Sequence, residues 1–255
     1  MTQPPLQAAA PRRSFATGAL AACGRFFFRF RDAVLPVTLV VLAVVTVPRV
    51  APVQGPGSGA TVPYGIAMSF LGQIWRALAI GLVYIQRGGR NRRIYADDLV
   101  TDGMFSVCRN PLYVGNIAIQ CGLLLVLDSR LAYWIGIPFV LFVYAAIVAA
   151  EEEFLRARFG AAYEAYCADV RRWLPSLRRL PAALRSTKFD VRRLLRKEYG
   201  ATAAWMTVCC AIILWKSWYQ QVPAQPRGPI VVAAWCCVGI AYVIVRTLKK
   251  AGQLR

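Results

Sequence analysis

The sequence predicts an all-α, polytopic membrane protein of about six transmembrane helices with a cofactor site at the cytoplasmic face. Three observations predict it. Hydrophobic residues fill 58% of the 255 positions and mean hydropathy is +0.46, above what an ordinary soluble domain carries. Those residues fall in runs near the ~20 that a helix rising 1.5 Å per residue needs to cross hydrocarbon. The cations, 31 Lys and Arg against 12 Asp and Glu, gather in alternate loops between the runs.

Taken in order, the chain begins with a polar, Pro- and Ala-rich stretch and then Phe26, Phe27 and Phe28 between Arg25 and Arg29. Residues 1–32 are therefore expected to form a mobile tail ending in an interfacial anchor. Leu20 to Cys23 is similar to a lipoprotein cleavage box, but the apolar run before it is short and Arg25 follows at once, so the mature chain is expected to start near Met1. Six spans follow: Ala33 to Val50, Ile66 to Ile85, Leu112 to Leu127, Leu131 to Ala150, Ala201 to Tyr219 and Ile230 to Val245. Only Asp128, Ser129 and Arg130 separate the third from the fourth, so these two form a tight antiparallel hairpin and position 109 meets position 151.

With the N-terminus inside, the outer side carries only Arg49, Arg130, Lys216 and Arg227, and Arg76 falls within a span. This distribution satisfies the positive-inside rule with both termini cytoplasmic. It suits a bacterial inner membrane or an endoplasmic reticulum membrane, and the bacterial inner membrane is the expectation adopted. The four predicted parts are the tail 1–32, a core of four spans over 33–176, a basic linker 177–200 and a C-terminal hairpin 201–255. In the linker, leucines alternate with arginines from Arg171 to Lys197. An amphipathic interfacial helix broken at Pro181 and a solvated positive-inside loop both account for it. The hairpin is open to three readings: a structural element, a lipid-access wall or an oligomer surface.

The net charge of +19 does not point to nucleic acid, because the cations lie in loops between apolar spans with no soluble module to present them. Anionic lipid headgroups are the expected partners, at ~1 kcal/mol per Lys or Arg near the surface. There is no His in the chain, which removes the commonest general base and metal ligand together. The eight Cys have no zinc-site spacing, and no metal site is expected; they are read as reduced, small hydrophobes. No Gly-rich phosphate loop and no Gly-x-Ser-x-Gly elbow occurs.

The remaining polar feature is at the feet of the hairpin. Glu151, Glu152 and Glu153 beside a bilayer need compensation, and Arg109, Arg156 and Arg158 are the nearest cations by topology. Three consecutive residues cannot share one helix face, so one or two of the carboxylates point into the bundle. Two readings fit these residues: an ion cluster that fixes the depth of the hairpin, or a site for a ligand with cationic, hydroxyl and carboxylate groups. Arg76 with Gln73 in the second span suggests either a headgroup contact or pairing with a carboxylate of the bundle. Asn116 and Gln120 are read as interhelical hydrogen-bonding residues, and Gly115 and Gly122 are compatible with close helix packing.

The run Leu99-Val100-Thr101-Asp102-Gly103, then Arg109-Asn110-Pro111-Leu112-Tyr113-Val114-Gly115, then Glu151-Glu152, then Phe159-Gly160 with Tyr163 and Tyr166, resembles the isoprenylcysteine carboxyl methyltransferase and phospholipid methyltransferase superfamily. The resemblance covers about 80 residues. It implies S-adenosylmethionine as cofactor, bound by Gly103, Arg109, Asn110, Pro111, Tyr113, Gly115, Glu151 and Glu152, with Tyr163, Tyr166, Leu174 and Pro175 shaping a lid. It implies Arg109, Glu151, Glu152 and Arg172 as the residues nearest the chemistry, and a lipid or lipid-like acceptor. The sequence departs from the family twice. Asn110 stands where the family usually has His; it can exchange hydrogen bonds but cannot carry a proton. Asp169 stands where the family has a substrate-facing Arg, leaving Arg171 and Arg172 as the nearest cations.

Methyl transfer needs mainly alignment, and proximity can supply ~7 to 11 kcal/mol without a strong base. A carboxylate acceptor arrives ionised; an amine must lose a proton, for which one of Glu151 to Glu153 is the candidate. The expected function is S-adenosylmethionine-dependent methyl transfer to a membrane-resident or amphiphilic acceptor. The alternative is a non-enzymatic membrane protein that keeps the fold, a transport accessory or an assembly factor.

Overall fold

A computed structural model describes residues 15–46, 61–82, 87–90, 93–186, 188–219 and 227–254. Among them the long helices are α1 (Phe15–Thr46), α2 (Thr61–Leu82), α4 (Pro111–Leu127), α5 (Ile137–Phe159), α8 (Val191–Tyr219) and α9 (Arg227–Lys250). Shorter elements are the ribbon β1 (Arg87–Arg90) and β2 (Arg93–Ala96) and the helices α3 (Met104–Val107), α6 (Ala161–Asp169) and α7 (Leu180–Ser186). Among the described residues four helices are long and apolar enough to cross a membrane: Thr61–Leu82, Ala132–Phe159, Val191–Trp218 and Gly228–Lys250. The protein is an all-α membrane bundle with one short two-stranded ribbon. The third predicted span is the 17-residue α4. Residues 47–50 of the first and 83–85 of the second lie outside the described residues, as do 1–14.

In lipid, apolar surface alone does not drive helices together; close backbone approach and interhelical polar contacts do. The α2–α4 contact is built on two glycine pairs seven residues apart on each helix. A Cβ on Gly65 would sit 2.5 Å from the Gly122 carbonyl oxygen, and one on Gly72 would sit 2.7 Å from that of Gly115. Ser69, between them, donates to the Ile119 carbonyl at 3.2 Å. Gly115 itself has the Arg76 side chain and the Gly72 carbonyl where a Cβ would go, so its smallness serves helix packing.

α1 lies along α5. Phe27 meets Phe139 and Phe142 edge-on at 6.2 and 5.9 Å, and Gly24 rests on the backbone of Ala146. The tail expected to Asp32 is thus helical from Phe15 onward, because its phenylalanines find a partner on α5 instead of lying free at the interface. Between α4 and α5 the chain turns at Asp128, which takes the left-handed conformation (φ 53°) and accepts from the Tyr133 hydroxyl at 2.8 Å. A π-helical turn, Ala132–Gly136, then leads into α5 just ahead of Pro138, whose missing N–H disfavours regular i to i−4 bonding there.

The basic linker does not form one amphipathic helix. α7 starts at Leu180 with Pro181 in its first turn, and the chain restarts at α8, where the Asp190 carboxylate accepts the Arg193 backbone N–H at 2.9 Å as an N-cap. α8 then runs on through the predicted fifth span. It crosses α2 and α4, with the Trp205 ring edge-on to Phe70 at 5.1 Å and its Nε1 donating to Gln73 Oε1 at 2.9 Å. At its far end Lys216 donates to the Val126 carbonyl at 3.3 Å and lies 3.9 Å from Asp128. α9 packs on α8, with Tyr242 stacked on Tyr199 at 5.3 Å.

Candidate functional site

The feet of the α4–α5 hairpin meet as their short connection requires. α4 begins at Pro111, where a residue without N–H suits the first turn, and Asn110 and Arg109 precede it. The residues before α4 lie against the strap 171–176 that follows α6. Arg109 N–H donates to the Arg171 carbonyl at 2.9 Å, Ser176 N–H to the Val107 carbonyl at 2.9 Å, and the Asn110 side-chain amide to the Arg172 carbonyl at 3.2 Å. Asn110 thereby supplies a donor, which is what remains available when His is replaced by a group that cannot titrate. Cys108 donates its Sγ–H to the Arg172 and Trp173 carbonyls, 3.6 Å away in each case. Burial pushes this thiol up to about 11, so it stays protonated at neutral pH.

The two adjacent carboxylates face different surroundings, as neighbours on a helix must. Glu152, 1% exposed, is clamped by three guanidinium groups: Arg172 at 2.5 Å, Arg109 at 3.3 Å and Arg156 at 3.5 Å. Arg109 also donates to Cys167 Sγ at 2.7 Å, while its Nε is buried without a hydrogen-bond partner among the described residues. An orphaned buried guanidinium N–H of this kind is the donor a bound carboxylate would satisfy. Glu151 turns the other way, accepts the Tyr113 hydroxyl at 2.7 Å, and Tyr113 in turn accepts from Arg31 at 3.3 Å. Glu153 pairs with Arg25 of α1 at 3.1 Å.

Glu151, Tyr113, Asn110 and Pro111 line a cavity of about 600 Å³ between α1, α2, α4, α5 and α8. Its walls are apolar along Leu35, Leu39, Ile119, Leu123 and Val208. Polar groups lie at two levels, Arg31, Asp32 and Glu151 near the hairpin feet and Arg76, Asn116, Gln120 and Tyr144 among the helices. The cavity presents the Glu151 carboxylate on a largely apolar wall, as a cationic ligand would need, while the orphaned Arg109 donor adjoins Asn110 in the chain and lies outside the lining.

Other predicted site residues take different positions. Gly103 (φ 55°) opens α3 and Gly160 (φ 51°) joins α5 to α6, both in the left-handed region that favours glycine. Tyr163 and Tyr166 pack with Leu155, Val170 and Ala96, and Tyr166 donates to the Phe105 carbonyl at 2.7 Å, tying α6 to α3. Leu174 on the strap is 68% exposed and Pro175 beside it is half-buried. Arg172 faces Glu152 and Asp169 pairs with Arg179 at 2.7 Å, so neither points into the cavity. Arg158, expected among the carboxylates, instead lies over Phe159. The residue that sequence reasoning missed is Glu198 of α8, 4% exposed and paired with Arg76 at 2.6 Å.

Residues 64–162 match the sequence profile of the phospholipid methyltransferase family. Among curated proteins, the chain is similar to the nickel-cobalt-cadmium resistance protein NccN of Alcaligenes xylosoxydans xylosoxydans, 34% identical over 96 residues, which is 37% of this chain and 39% of that one. It is also similar to the cobalt-zinc-cadmium resistance protein CzcN of Cupriavidus metallidurans, 32% identical over 96 residues with the same coverage. The chain thus spans about two-fifths of the length of these relatives. No solved structure matches it. The profile match contains both feet of the hairpin, Arg109 to Tyr113 and Glu151 to Glu153. Over residues 64–162 the chain is thus similar to the phospholipid methyltransferase family, consistent with the superfamily of membrane methyltransferases that the sequence motifs resemble.

Proposed function

We propose that the protein transfers a methyl group from S-adenosylmethionine to a membrane-resident or amphiphilic acceptor. The observation that carries this reading is the junction of Arg109, Asn110, Pro111 and Tyr113 with Glu151 and Glu152 at one end of the bundle, inside the matched segment, of which Asn110, Pro111, Tyr113 and Glu151 line a cavity of about 600 Å³. Bound there, the cofactor supplies an electrophilic sulfonium methyl. Arg109 would hold its carboxylate through the N–H groups that Glu152 leaves open, and Glu151 would face its cationic or hydroxyl groups. Asn110, Pro111 and Tyr113 would form the wall, and the strap 171–176 would shield the site from water. Glu151, kept in place by Tyr113, is the carboxylate positioned to take a proton from an amine acceptor; a carboxylate acceptor needs none. Alignment inside a largely apolar cavity then accounts for the rate.

The two relatives are named as metal resistance proteins, which lends some support to a second reading, a non-enzymatic membrane protein that keeps the fold as a transport accessory or an assembly factor. One experiment separates the two. Purified protein in lipid nanodiscs is incubated with methyl-labelled S-adenosylmethionine and a total lipid extract, beside Arg109→Ala and Glu151→Gln. Label in an organic-soluble product with the unmutated protein, lost in both variants, is expected. No transfer together with no cofactor binding would remove the enzymatic reading and leave the accessory role.

A further inference from the structure

Among the polar groups of the cavity, one set lies at membrane depth and owes its arrangement to a helix outside the matched segment. Arg76 sits six residues before the end of α2, about 9 Å along the helix at 1.5 Å per residue. Its guanidinium is fixed on both sides. Nε and Nη2 donate to the two oxygens of Glu198 at 3.0 and 2.6 Å, and Nη1 donates to Asn116 Oδ1 on α4. Glu198 is itself steadied by Gln73 at 3.2 Å, and Gln73 by the Trp205 indole. The charge of Arg76 is therefore compensated, and three of its five N–H groups are used.

What faces the cavity from this set is rich in donors. Arg76 retains N–H groups on both terminal nitrogens and lies on the cavity wall, beside the amides of Asn116 and Gln120. Tyr144 lines the same cavity and is 3% exposed, so its hydroxyl adds a further donor at this depth. Leu39, Ile119, Leu123 and Val208 continue the wall with apolar surface suited to a hydrocarbon chain.

Resting on the methyltransferase reading above, we propose that this deep polar set seats the acceptor: Arg76, positioned by Glu198, and Tyr144 bind the oxygens of an amphiphile's carboxylate or phosphoryl group, with its chain along the apolar wall. The assignment gives the C-terminal hairpin a part in selectivity, because α8 supplies the residue that aims Arg76 and the Trp205 side of the cavity. Glu198 is a positioning residue; Arg76 and Tyr144 touch the ligand.

The test uses the full chain in nanodiscs and equilibrium dialysis of three radiolabelled probes: tetradecyl phosphate, myristate and tetradecyltrimethylammonium. At least one of the two oxygen-bearing probes is expected to bind and the ammonium probe to compete poorly; whichever of phosphate and carboxylate binds more tightly identifies the source of the headgroup. The double variant Arg76→Gln with Glu198→Gln removes both charges together, and should weaken binding of that probe about tenfold, the loss of a charge-assisted hydrogen bond. Tyr144→Phe should weaken it about threefold. S-adenosylmethionine binding should be unchanged in both. If the double variant does not fold, Arg76→Lys keeps the charge, loses the spare N–H of the fork, and decides the question with Tyr144→Phe. Binding of neither oxygen-bearing probe to the wild type, or variants that bind as the wild type does, overturns the proposal. Absent cofactor binding with Arg76-dependent probe binding would instead remove the methyltransferase reading and leave this site standing.

Discussion

Glu151 and Glu152 are adjacent, yet the structure assigns them different work, and replacing each by Gln separates stability from ligand binding. Glu152 is 1% exposed with three arginine partners, of which only Arg109, at 12%, is buried; Arg156 and Arg172 are 40% and 42% exposed. Breaking a buried ion pair from one side costs ~3 to 5 kcal/mol, because the remaining charge is left uncompensated. The two half-exposed pairs add no more than ~0.5 kcal/mol each after solvent screening. Gln preserves shape and one acceptor oxygen, so a loss of about 3 kcal/mol is expected for Glu152→Gln, or roughly 6 to 12 °C in unfolding midpoint for a chain of this size. Glu151→Gln keeps an acceptor for the Tyr113 hydroxyl and should cost about 1 kcal/mol. A thiol-reactive dye added during heating in nanodiscs, after Cys23, Cys236 and Cys237 have been blocked on the folded protein, reports unfolding through the buried Cys108, Cys121 and Cys209. A Glu152→Gln midpoint within about 2 °C of wild type, or an equal fall in Glu151→Gln, would refute this division of labour.

Three further outcomes follow from the packing. Gly72→Leu should disrupt the α2–α4 contact, where even a Cβ would lie 2.7 Å from the Gly115 carbonyl, and should lower the unfolding midpoint by more than Gly239→Leu, a position on α9 with open space around it. Asn110→His should keep the bond to the Arg172 carbonyl and cofactor affinity within about threefold, whereas Asn110→Ala should lose about 1 kcal/mol of stability, read in the same melting assay. The Arg179 hydrogen bonds hold the Asp169 carboxyl below its ordinary range, so this pair stabilises the fold above the ordinary carboxylate pKa and fades as pH falls through the lowered value. Asp169→Asn should therefore differ from wild type at neutral pH and converge with it in acid; a gap that persists in acid would show that the pair acts otherwise.

The parts of this protein legible in the sequence are those set by local pattern. Apolar runs marked the helices, and the three-residue connection at Asp128 required Arg109 and the Glu151 end to meet, as they do through Glu152. Gly115 and Gly122 were legible as compatible with close helix packing, but their pairing with Gly72 and Gly65 needed the structure. Glu198 was not, because its partner Arg76 lies 122 residues away and nothing local couples them; the available signal was a lone carboxylate in a basic run just before an apolar helix. The ribbon of β1 and β2 escaped because Arg87–Arg90 alternates no apolar residues. The extension of α1 back to Phe15 escaped because its phenylalanines read as an interfacial anchor until α5 provided a surface for them.

α8 and α9 differ sharply in what they cover. α8 contributes Ala201, Ala204, Trp205 and Val208 to the cavity, while none of the apolar window of α9 is buried. The cavity is therefore walled without help from the last helix, and α9 acts as an outrigger: it lengthens the perimeter presented to lipid while the interior stays enclosed by the helices before it. Changes along its outward face, at Ile230, Trp235, Ile240 or Val243, would alter how the protein sits among its neighbours and leave the chamber's shape as it is.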